Sequence, residues 1–537
     1  MTKESSGAKT KADIYGNVTG ANVDESKINT VFYVDGASKE ASDDNSGSSD
    51  VPFKTIAKAV QKALDQKAEG QSCKIIIRAG EYREPIELIG EESDNTAAII
   101  VEGEDGATVK GSVDFSEGWH LKDGVCVNEW PYKFGVADDI YKEYNITMAE
   151  IVRRRDMLFI NGRNLTPIME KSTLAEGMFF TDEKNAKVYM IPPKGTDMKN
   201  SLIEAAVHKH VLAIEDIKNV VIRNICFTQT SPTQSGSGTG VNRAENVRIE
   251  NCLIDYSSYF GLGVHGARDI TLENLQVNNN GGGGILGTSL DNVLIHNCET
   301  SNNNWRGALG GFYDWDTGGI KILFAYDVKV SGHKALDNLA PGVWFDSECR
   351  RITIEDCYLK GNTSYGKNIT AGVYLEGGIG PFLVERCTMV NNRRGMNLAS
   401  SNDITIRDCI IKDNTDCQIV LFSNWRRAGE FEGGRTFKAR GTDVDVTSHL
   451  RDTYMENTVI STSIPDAGPF FNYDHNDEWA YDLWWSTLKT SKMKYYHPNA
   501  SGAFFKKELA GLCGFKEWKE MTGLDSDAEW VNPKQNS

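Results

Sequence analysis

Two short segments of the sequence, GVWFD at 342–346 and GVYLE at 372–376, share one pattern that ends in a carboxylic acid. Four further segments align with them on the glycine: GLGVH at 261, GILGT at 284, GIKIL at 319 and GMNLA at 395. The second residue of all six is Leu, Ile, Val or Met, which is typical of a strand position that faces a core. The third and fifth residues are therefore predicted to face outward.

These outward positions form two predicted rows. The aromatic row contains Gly263, Leu286, Lys321, Trp344, Tyr374 and Asn397. The acid row contains His265, Thr288, Leu323, Asp346, Glu376 and Ala399.

Asp346 and Glu376 would have backbones ~4.8 Å apart on neighbouring strands. Like charges stacked in this way are destabilising, so a surface without a task for them would avoid the arrangement. Two carboxyl groups ~5 to 5.5 Å apart serve a retaining glycosidase as nucleophile and acid/base. Trp344 and Tyr374 beside them offer flat platforms for a sugar ring. A solvated surface role explains either acid alone, but the combination favours catalysis.

The strands that would position these residues belong to a repeat. Nine strand-like segments with period-2 alternation begin at 219, 246, 269, 292, 327, 351, 381, 403 and 452. The base period of 22 to 24 residues, with Asn and Gly turns and no helical stripe, is typical of a right-handed parallel β-helix. Leucine-rich repeats share the period but need leucines that this chain lacks. The predicted class is therefore all-β.

Two ladders of identical residues follow the same period. The seventh position of five segments is a cysteine, which we expect to pack in the core. These cysteines are Cys252, Cys298, Cys357, Cys387 and Cys409. Asparagines five residues after their anchors are expected to satisfy the turn backbone. They are Asn303, Asn338, Asn362, Asn392 and Asn414.

The chain divides into four predicted regions. Residues 30–114 are expected to form an N-terminal cap and the first coils, with a helix in PFKTIAKAVQKALDQ closing the open end. Residues 115–210 break the period and are predicted to be an inserted β unit. Residues 211–465 are predicted to be the main β-helix, and 466–537 a C-terminal cover.

Two long spacings place insertions beside the acids, WRGALGGFYDWD at 305–316 and TSYGKNIT at 363–370. Loops at such positions often wall a pocket. Further substrate contacts are predicted here and along the rows, with turn roles as the alternative: Trp305, Arg306, Asp316, Lys321 and His265.

Composition restricts the partners. The 58 Lys and Arg residues against 75 Asp and Glu give a net charge of −17, which repels nucleic acid and anionic membranes. No segment has the apolar run of a signal peptide or the ~18 apolar residues of a membrane span. We expect a secreted or cytoplasmic bacterial protein whose partner is an oligosaccharide. The 11 cysteines show no CxxC or zinc spacing, so no metal or cofactor is predicted.

The segments GIK at 319–321, GVWFD and YLEGGIGPFLVE at 374–385 resemble the catalytic stretch of the family 120 glycoside hydrolases. These are parallel β-helix β-xylosidases with an inserted β domain. The N-terminal FYVDG, VPFKTIAKA and GEYRE resemble the start of that group and of its uncharacterised relatives. The resemblance implies that Asp346 is the nucleophile and Glu376 the acid/base. EGGIGP departs from the histidine-containing family segment, and NNNWRGALGGFYDWD is closer to the broader relatives.

Two other functions are compatible with the fold. A polysaccharide lyase that acts on a uronate polymer would need a Lys or Arg base with Ca²⁺, and Lys321, Arg393 or Arg394 would supply the base. The outward rows offer no acidic calcium cage. A non-catalytic carbohydrate-binding β-helix would leave the stacked acid pair unexplained.

Overall fold

The chain winds into coils that each contribute one strand to each of three long sheets, in which all neighbouring strands are parallel. This computed structural model describes residues 10–90, 96–313, 315–366, 370–422, 435–438, 445–473, 478–504, 506–507 and 511–531. The parallel β-helix and the all-β class predicted from the repeat are confirmed.

The first sheet has thirteen strands: Thr30–Val34, Cys73–Ile77, Ile99–Gly103, Lys218–Arg223, Glu245–Glu250, Arg268–Glu273, Asp291–His296, Tyr326–Ser331, Arg350–Glu355, Phe382–Glu385, Asn402–Arg407, Arg451–Glu456 and Lys489–Ser491. The second also has thirteen: Gly80–Tyr82, Ala107–Lys110, Cys226–Thr230, Leu253–Ser257, Gln276–Asn278, Glu299–Ser301, Lys334–Leu336, Tyr358–Lys360, Thr388–Val390, Ile410–Lys412, Val459–Ser461, Lys494–Tyr496 and Glu529–Trp530. The third has eleven: Ile86–Ile89, Leu212–Glu215, Ser237–Asn242, Phe260–His265, Gly283–Thr288, Gly318–Leu323, Val343–Asp346, Ala371–Glu376, Arg394–Ala399, Cys417–Phe422 and Phe471–Tyr473.

The alternation of apolar residues along each strand builds one continuous core inside the coils. In the strand Asp291–His296, for example, Val293 and Ile295 are buried while their neighbours are half-buried. Asparagines at the corners adopt left-handed backbone angles, with φ of 53° at Asn251 and 52° at Asn274. Asn accepts this conformation more readily than most residues, which explains the Asn-rich turns of the sequence.

The asparagine ladder forms a continuous chain of hydrogen bonds inside the turn between the second and third sheets. The Nδ2 of Asn303 donates to Oδ1 of Asn338 at 2.9 Å, and Asn338 donates in the same way to Asn362 at 2.9 Å. The chain begins at Asn280 and continues through Asn392 and Asn414 to Gln418. Each amide oxygen also accepts a backbone N–H, as in the bond from Asn392 N to Asn414 Oδ1. The predicted structural role of the ladder is confirmed.

Helices close the two ends of the solenoid. The helix Ile56–Ala68 is capped by the Thr55 hydroxyl, which accepts from Lys58 N, and its buried face packs on the first coils. At the other end, Glu478–Thr487 and Phe515–Thr522 bury Trp484 and Trp518 against the core. Strands of all three sheets continue beyond residue 465 into the segment predicted as a cover.

The chain leaves the solenoid between the strands Ala107–Lys110 and Leu212–Glu215. A four-stranded antiparallel sheet contains Ser112–Asp114, Leu158–Ile160, Arg163–Asn164 and Ile203–Ala206. A five-stranded sheet contains His120–Lys122, Val125–Glu129, Thr166–Pro167, Met178–Asp182 and Lys187–Ile191. These sheets enclose a separate apolar core, as an independent β unit requires.

The remaining elements are short. They are the α-helices Lys11–Tyr15, Glu150–Arg153 and Trp305–Leu309, the 3₁₀ turns Glu25–Lys27, Lys142–Tyr144, Lys171–Thr173 and Ala500–Gly502, and the hairpin strands Arg435–Lys438, Asp445–Ser448, Lys506–Lys507 and Gly511–Leu512.

The five anchor cysteines are buried free thiols, as predicted. Burial raises the pKa of Cys252 and of Cys298 to about 12. We expect iodoacetamide to leave all five unmodified in the folded protein, because the thiolate is the reactive form. All 11 thiols of the chain should react after unfolding. Mass mapping that found rapid native labelling of Cys357 or Cys387 would contradict the register of these strands.

His333 occupies the anchor position that other coils give to cysteine and is fully buried, with Nε2 3.0 Å from Thr300 Oγ1. Burial lowers the pKa of His333 to about 3, whereas an unfolded histidine titrates near 6.5. Between about pH 6.5 and pH 3, His333 is therefore protonated in the unfolded chain but not in the folded chain. Folding stability should therefore fall by up to about 1.4 kcal/mol per pH unit as pH decreases toward 3.

We expect His333→Cys to remove this acid sensitivity, so that the variant gains stability relative to wild type between pH 7 and pH 4. Urea unfolding at each pH measures the difference. Replacement of the exposed His120 by Cys is the matched control for the loss of one histidine. An identical pH dependence in wild type and His333→Cys would contradict the prediction.

Candidate active site

The two outward rows predicted from the glycine alignment lie on the outer face of the third sheet. The register pairs Lys321 with Trp344 and Trp344 with Tyr374. Leu323 pairs with Asp346, and Phe345 pairs with Leu375, so the next position sets Asp346 beside Glu376. Glu376 in turn pairs with Ala399. The structure therefore places the two acids at equivalent ends of adjacent strands.

Asp346 is almost enclosed, with 7% of its surface exposed. Lys321 Nζ donates to its Oδ2 at 3.1 Å. Oδ1 accepts from the backbone N of Ser347 at 2.7 Å and from the Ser347 hydroxyl at 2.9 Å. All of these donors favour the ionised form of Asp346.

The backbone directly after Asp346 is strained. Ser347 has φ of 22° and Glu348 has φ of 61°, and neither is a glycine. The turn is held by the next coil, where Gly377 O accepts from Glu348 N at 3.1 Å. Positive φ at consecutive residues with side chains is costly and is concentrated at functional sites.

The aromatic residues correct one expectation. Trp344 and Tyr374 were expected to be open platforms for a sugar, but only 2% and 1% of their surfaces are exposed. Their rings stack on each other, with centroids 4.6 Å apart and an interplanar angle of 16°. Lys321 Nζ lies 3.1 Å from the centroid of the Trp344 ring. The faces of the two rings are therefore covered by protein atoms. Trp344 supports the Lys321 side chain, and Tyr374 supports Trp344.

Arg306 also differs from the expectation of substrate contact, whereas Trp305 is half-buried. Arg306 is completely buried and donates to the backbone oxygen of Asp156 at 2.6 Å and to that of Ile151 at 3.3 Å. Trp305 Nε1 donates to Asn279 O at 2.9 Å. Both residues fasten the 305–316 insertion to the inserted β unit and the neighbouring coil.

Asp316 and His265 lie apart from the acid pair. Asp316 accepts from the Ser235 hydroxyl, and its backbone oxygen accepts from Tyr259 Oη at 3.4 Å. His265 is three strands before Asp346 in the acid row, which corresponds to ~14 Å. Burial lowers the pKa of the His265 imidazole, and the Asp316 carboxylate opposes that shift. These residues are not brought to the two acids.

Sequence reasoning missed Ser347. A serine directly after an acid often makes a local side-chain hydrogen bond, and this was the available signal. In the other predicted loop, Tyr365 is exposed and its ring lies 6.3 Å from that of Tyr313. Residues 314 and 367–369 of the two insertions lie outside the described residues.

Two general properties of the surface bear on function. Within the described ranges, no group of three or more His, Cys, Asp or Glu side chains is arranged to hold a metal ion. In the same part of the chain, no helix combines the length and apolar character needed to cross a membrane.

Comparison with known proteins agrees with this architecture. The family model of the right-handed β-helix region matches residues 179–312 and 237–378, so the predicted handedness is confirmed. The structure of XylC in complex with xylose is similar over 89% of this chain and 84% of that chain, with 15% identity and a TM-score of 0.61. At this identity the likeness shows a shared fold. No curated protein matches the sequence.

Two other solved structures are similar at lower TM-scores. The A-module of the mannuronan C-5 epimerase AlgE4 from Azotobacter vinelandii is 13% identical, with 82% and 91% of the two chains covered and a TM-score of 0.48. A hyperthermoactive exopolygalacturonase from Thermotoga maritima is 10% identical, with 90% of each chain covered and a TM-score of 0.43.

The contacts of Arg306 generate a prediction that separates structure from substrate binding. Arg306→Leu should lower the free energy of unfolding by about 3 kcal/mol, because two buried carbonyls lose a charged donor. KM should stay unchanged. The exposed Arg243 pairs with Asp216, and Arg243→Leu should change the unfolding free energy by less than about 1 kcal/mol. A raised KM with unchanged stability in Arg306→Leu would restore the role in substrate binding.

Proposed function

We propose that this protein is a retaining, β-xylosidase-like glycoside hydrolase with Asp346 as nucleophile and Glu376 as acid/base. The observation that carries the proposal is the equivalent placement of the two acids on adjacent strands. Further support comes from the hydrogen bonds that favour the carboxylate form of Asp346. Two similarities favour retaining glycoside hydrolysis. The fold is shared with a protein that binds xylose, and GVWFD and YLEGGIGP resemble the family 120 catalytic stretch.

The chemistry follows from the two protonation states. In the first step a carboxylate oxygen of Asp346 attacks the anomeric carbon, while protonated Glu376 gives its proton to the departing glycosidic oxygen. A covalent glycosyl ester of Asp346 forms and the aglycone leaves as an alcohol. In the second step ionised Glu376 takes a proton from water, the resulting hydroxyl attacks the same carbon, and Asp346 leaves as a carboxylate. Two displacements retain the anomeric configuration.

The residues of the aromatic row are buried, which favours a pocket that binds only the end of a sugar chain. Leu286, Lys321, Tyr374 and Asn397 extend along the third sheet on both sides of the acids, and all are buried. A groove for the interior of a polymer would leave these outward side chains open to solvent. We therefore expect the substrate to be a terminal sugar of a small oligosaccharide, which a parallel screen of nitrophenyl glycosides would identify.

A lyase mechanism has less support. Lys321 would be its base, but the ammonium already donates to Asp346 and lies over Trp344. Arg394 pairs with Asp416 at 2.9 Å, and Arg393 donates to Ser364 Oγ at 3.0 Å. A lyase product would reveal itself by the ultraviolet absorbance of its new C=C bond.

Substitution separates the two roles. Asp346→Ala should lose nearly all activity on every substrate, because the nucleophile is absent. Glu376→Ala should lose activity most severely on substrates with poor leaving groups. It should keep part of its rate on activated aryl glycosides, and azide should restore more, because a small anion needs no base in the second step.

Asp356→Ala removes an exposed acid from the coil that carries Asp346 and is the matched control, with activity expected near that of wild type. The anomer of the first product is measured by NMR. Near wild-type activity in Asp346→Ala, or a product of inverted configuration, would contradict the two-carboxylate retaining mechanism.

A further inference from the structure

The two acids occupy equivalent backbone positions but lie at different distances from Lys321. Lys321 is one strand before Asp346 in the third sheet, and Glu376 is one strand after it. The Lys321 ammonium therefore contacts Asp346 directly, whereas two strand spacings, about 9.6 Å of backbone, separate its strand from that of Glu376. Coulomb attraction weakens with distance, so this cation favours ionisation of Asp346 far more than ionisation of Glu376.

The position of the ammonium is fixed by the aromatic stack beneath it. A lysine side chain is flexible and loses much rotamer freedom when it is held in one place. Here its Nζ lies over the face of Trp344, and Trp344 is supported on its other side by Tyr374. All three side chains are buried, with 3%, 2% and 1% of their surfaces exposed. A desolvated ammonium over an indole ring is strongly attracted to it.

Three other titratable groups of the described residues lie close to Asp346 along the chain or in the register. Glu376 follows on the next strand, and Glu348 comes two residues later in the same turn. Cys349 Sγ donates to the backbone oxygen of Asp346 at 2.9 Å, and burial raises the pKa of this thiol. The two acids oppose ionisation of Asp346, and the thiol remains neutral. Ser347 donates to Asp346 without a charge.

We propose that Lys321, held on the Trp344–Tyr374 stack, is the positioning residue that keeps Asp346 ionised and thereby assigns the roles of nucleophile and acid/base within the pair. This inference rests on the proposed retaining glycosidase function. It explains why the aromatic side chains are buried: they orient the cation that acts on the nucleophile.

The pH profile of kcat/KM on 4-nitrophenyl β-D-xyloside tests this role. The acid limb reports the nucleophile and the alkaline limb the acid/base. Lys321→Met should move the acid limb to higher pH by about one unit or more, with a much smaller change in the alkaline limb. Lys321→Arg should keep most of the wild-type position. Lys334→Met removes the same charge from an exposed lysine of the same coil and should change neither limb.

An unmoved acid limb in folded, active Lys321→Met would overturn the inference, as would equal movement of both limbs. A second measurement needs neither that variant nor a substrate. The unfolding free energy of wild type relative to Asp346→Asn is followed from pH 6 to pH 3. The advantage of wild type should fall as pH falls, because a carboxylate stabilised in the folded state loses that contribution on protonation. An advantage that grows toward acid pH would also overturn the inference.

Failure of the proposed function gives a different result. Near wild-type activity in Asp346→Ala, or inversion of the anomeric configuration, would refute the retaining mechanism whatever the pH profiles show. A third outcome would refute only the positioning role. In that case activity depends on Asp346 and the anomeric configuration is retained, but the acid limb does not move in Lys321→Met.

Discussion

Parallel in-register stacking is the constraint on which the rest of this structure depends. Each side chain lies ~4.8 Å from the residue at the same position of the next coil, so every position must tolerate its neighbours. Apolar side chains pack on the equivalent residue of the next coil. Asn338 instead donates an amide hydrogen bond to Asn362. Carboxylates repel at this distance. Stacked acids therefore need a cation beside them. Glu355 and Glu385, paired in the first sheet, both contact Lys11. Asp346, one strand before Glu376, contacts the buried Lys321.

The inserted β unit shows how an excursion from the coils is tied back to the site. Its segment containing Met148 and Ile151 packs on Leu286 and Phe312 at the outer face of the third sheet. Arg306 joins the same segment to the 305–316 insertion through two backbone carbonyls. Substitutions in this junction would act on the site through its support, since the groups involved are buried away from the acids. The 305–316 insertion thus anchors the inserted β unit to the third sheet.

Much of this architecture could be predicted from periodicity. The alternation of residues gave the direction of each side chain on the third sheet, and the spacing of cysteines and asparagines identified the core and the turn. Direction does not reveal what packs against a side chain. Trp344 and Tyr374 face outward as predicted, yet they are buried. Arg306 could not be assigned either, because its acceptors are backbone oxygens about 150 residues away. Ser347 acts through a local backbone turn that the strand pattern does not describe.

The asparagine chain also makes the coil the smallest unit by which this molecule can change length. Each side-chain amide from Asn280 to Asn392 donates to the asparagine of the following coil. The chain ends where Asn414 donates to Gln418 of its own coil. Excision of the 24 residues from Asn338 to 361 would bring Asn362 directly after Asn303 and rejoin the chain. Excision of half that number, 338–349, would put Arg350 in place of an asparagine in this chain. Modular shortening or duplication of this solenoid is therefore compatible with its interior only in whole turns.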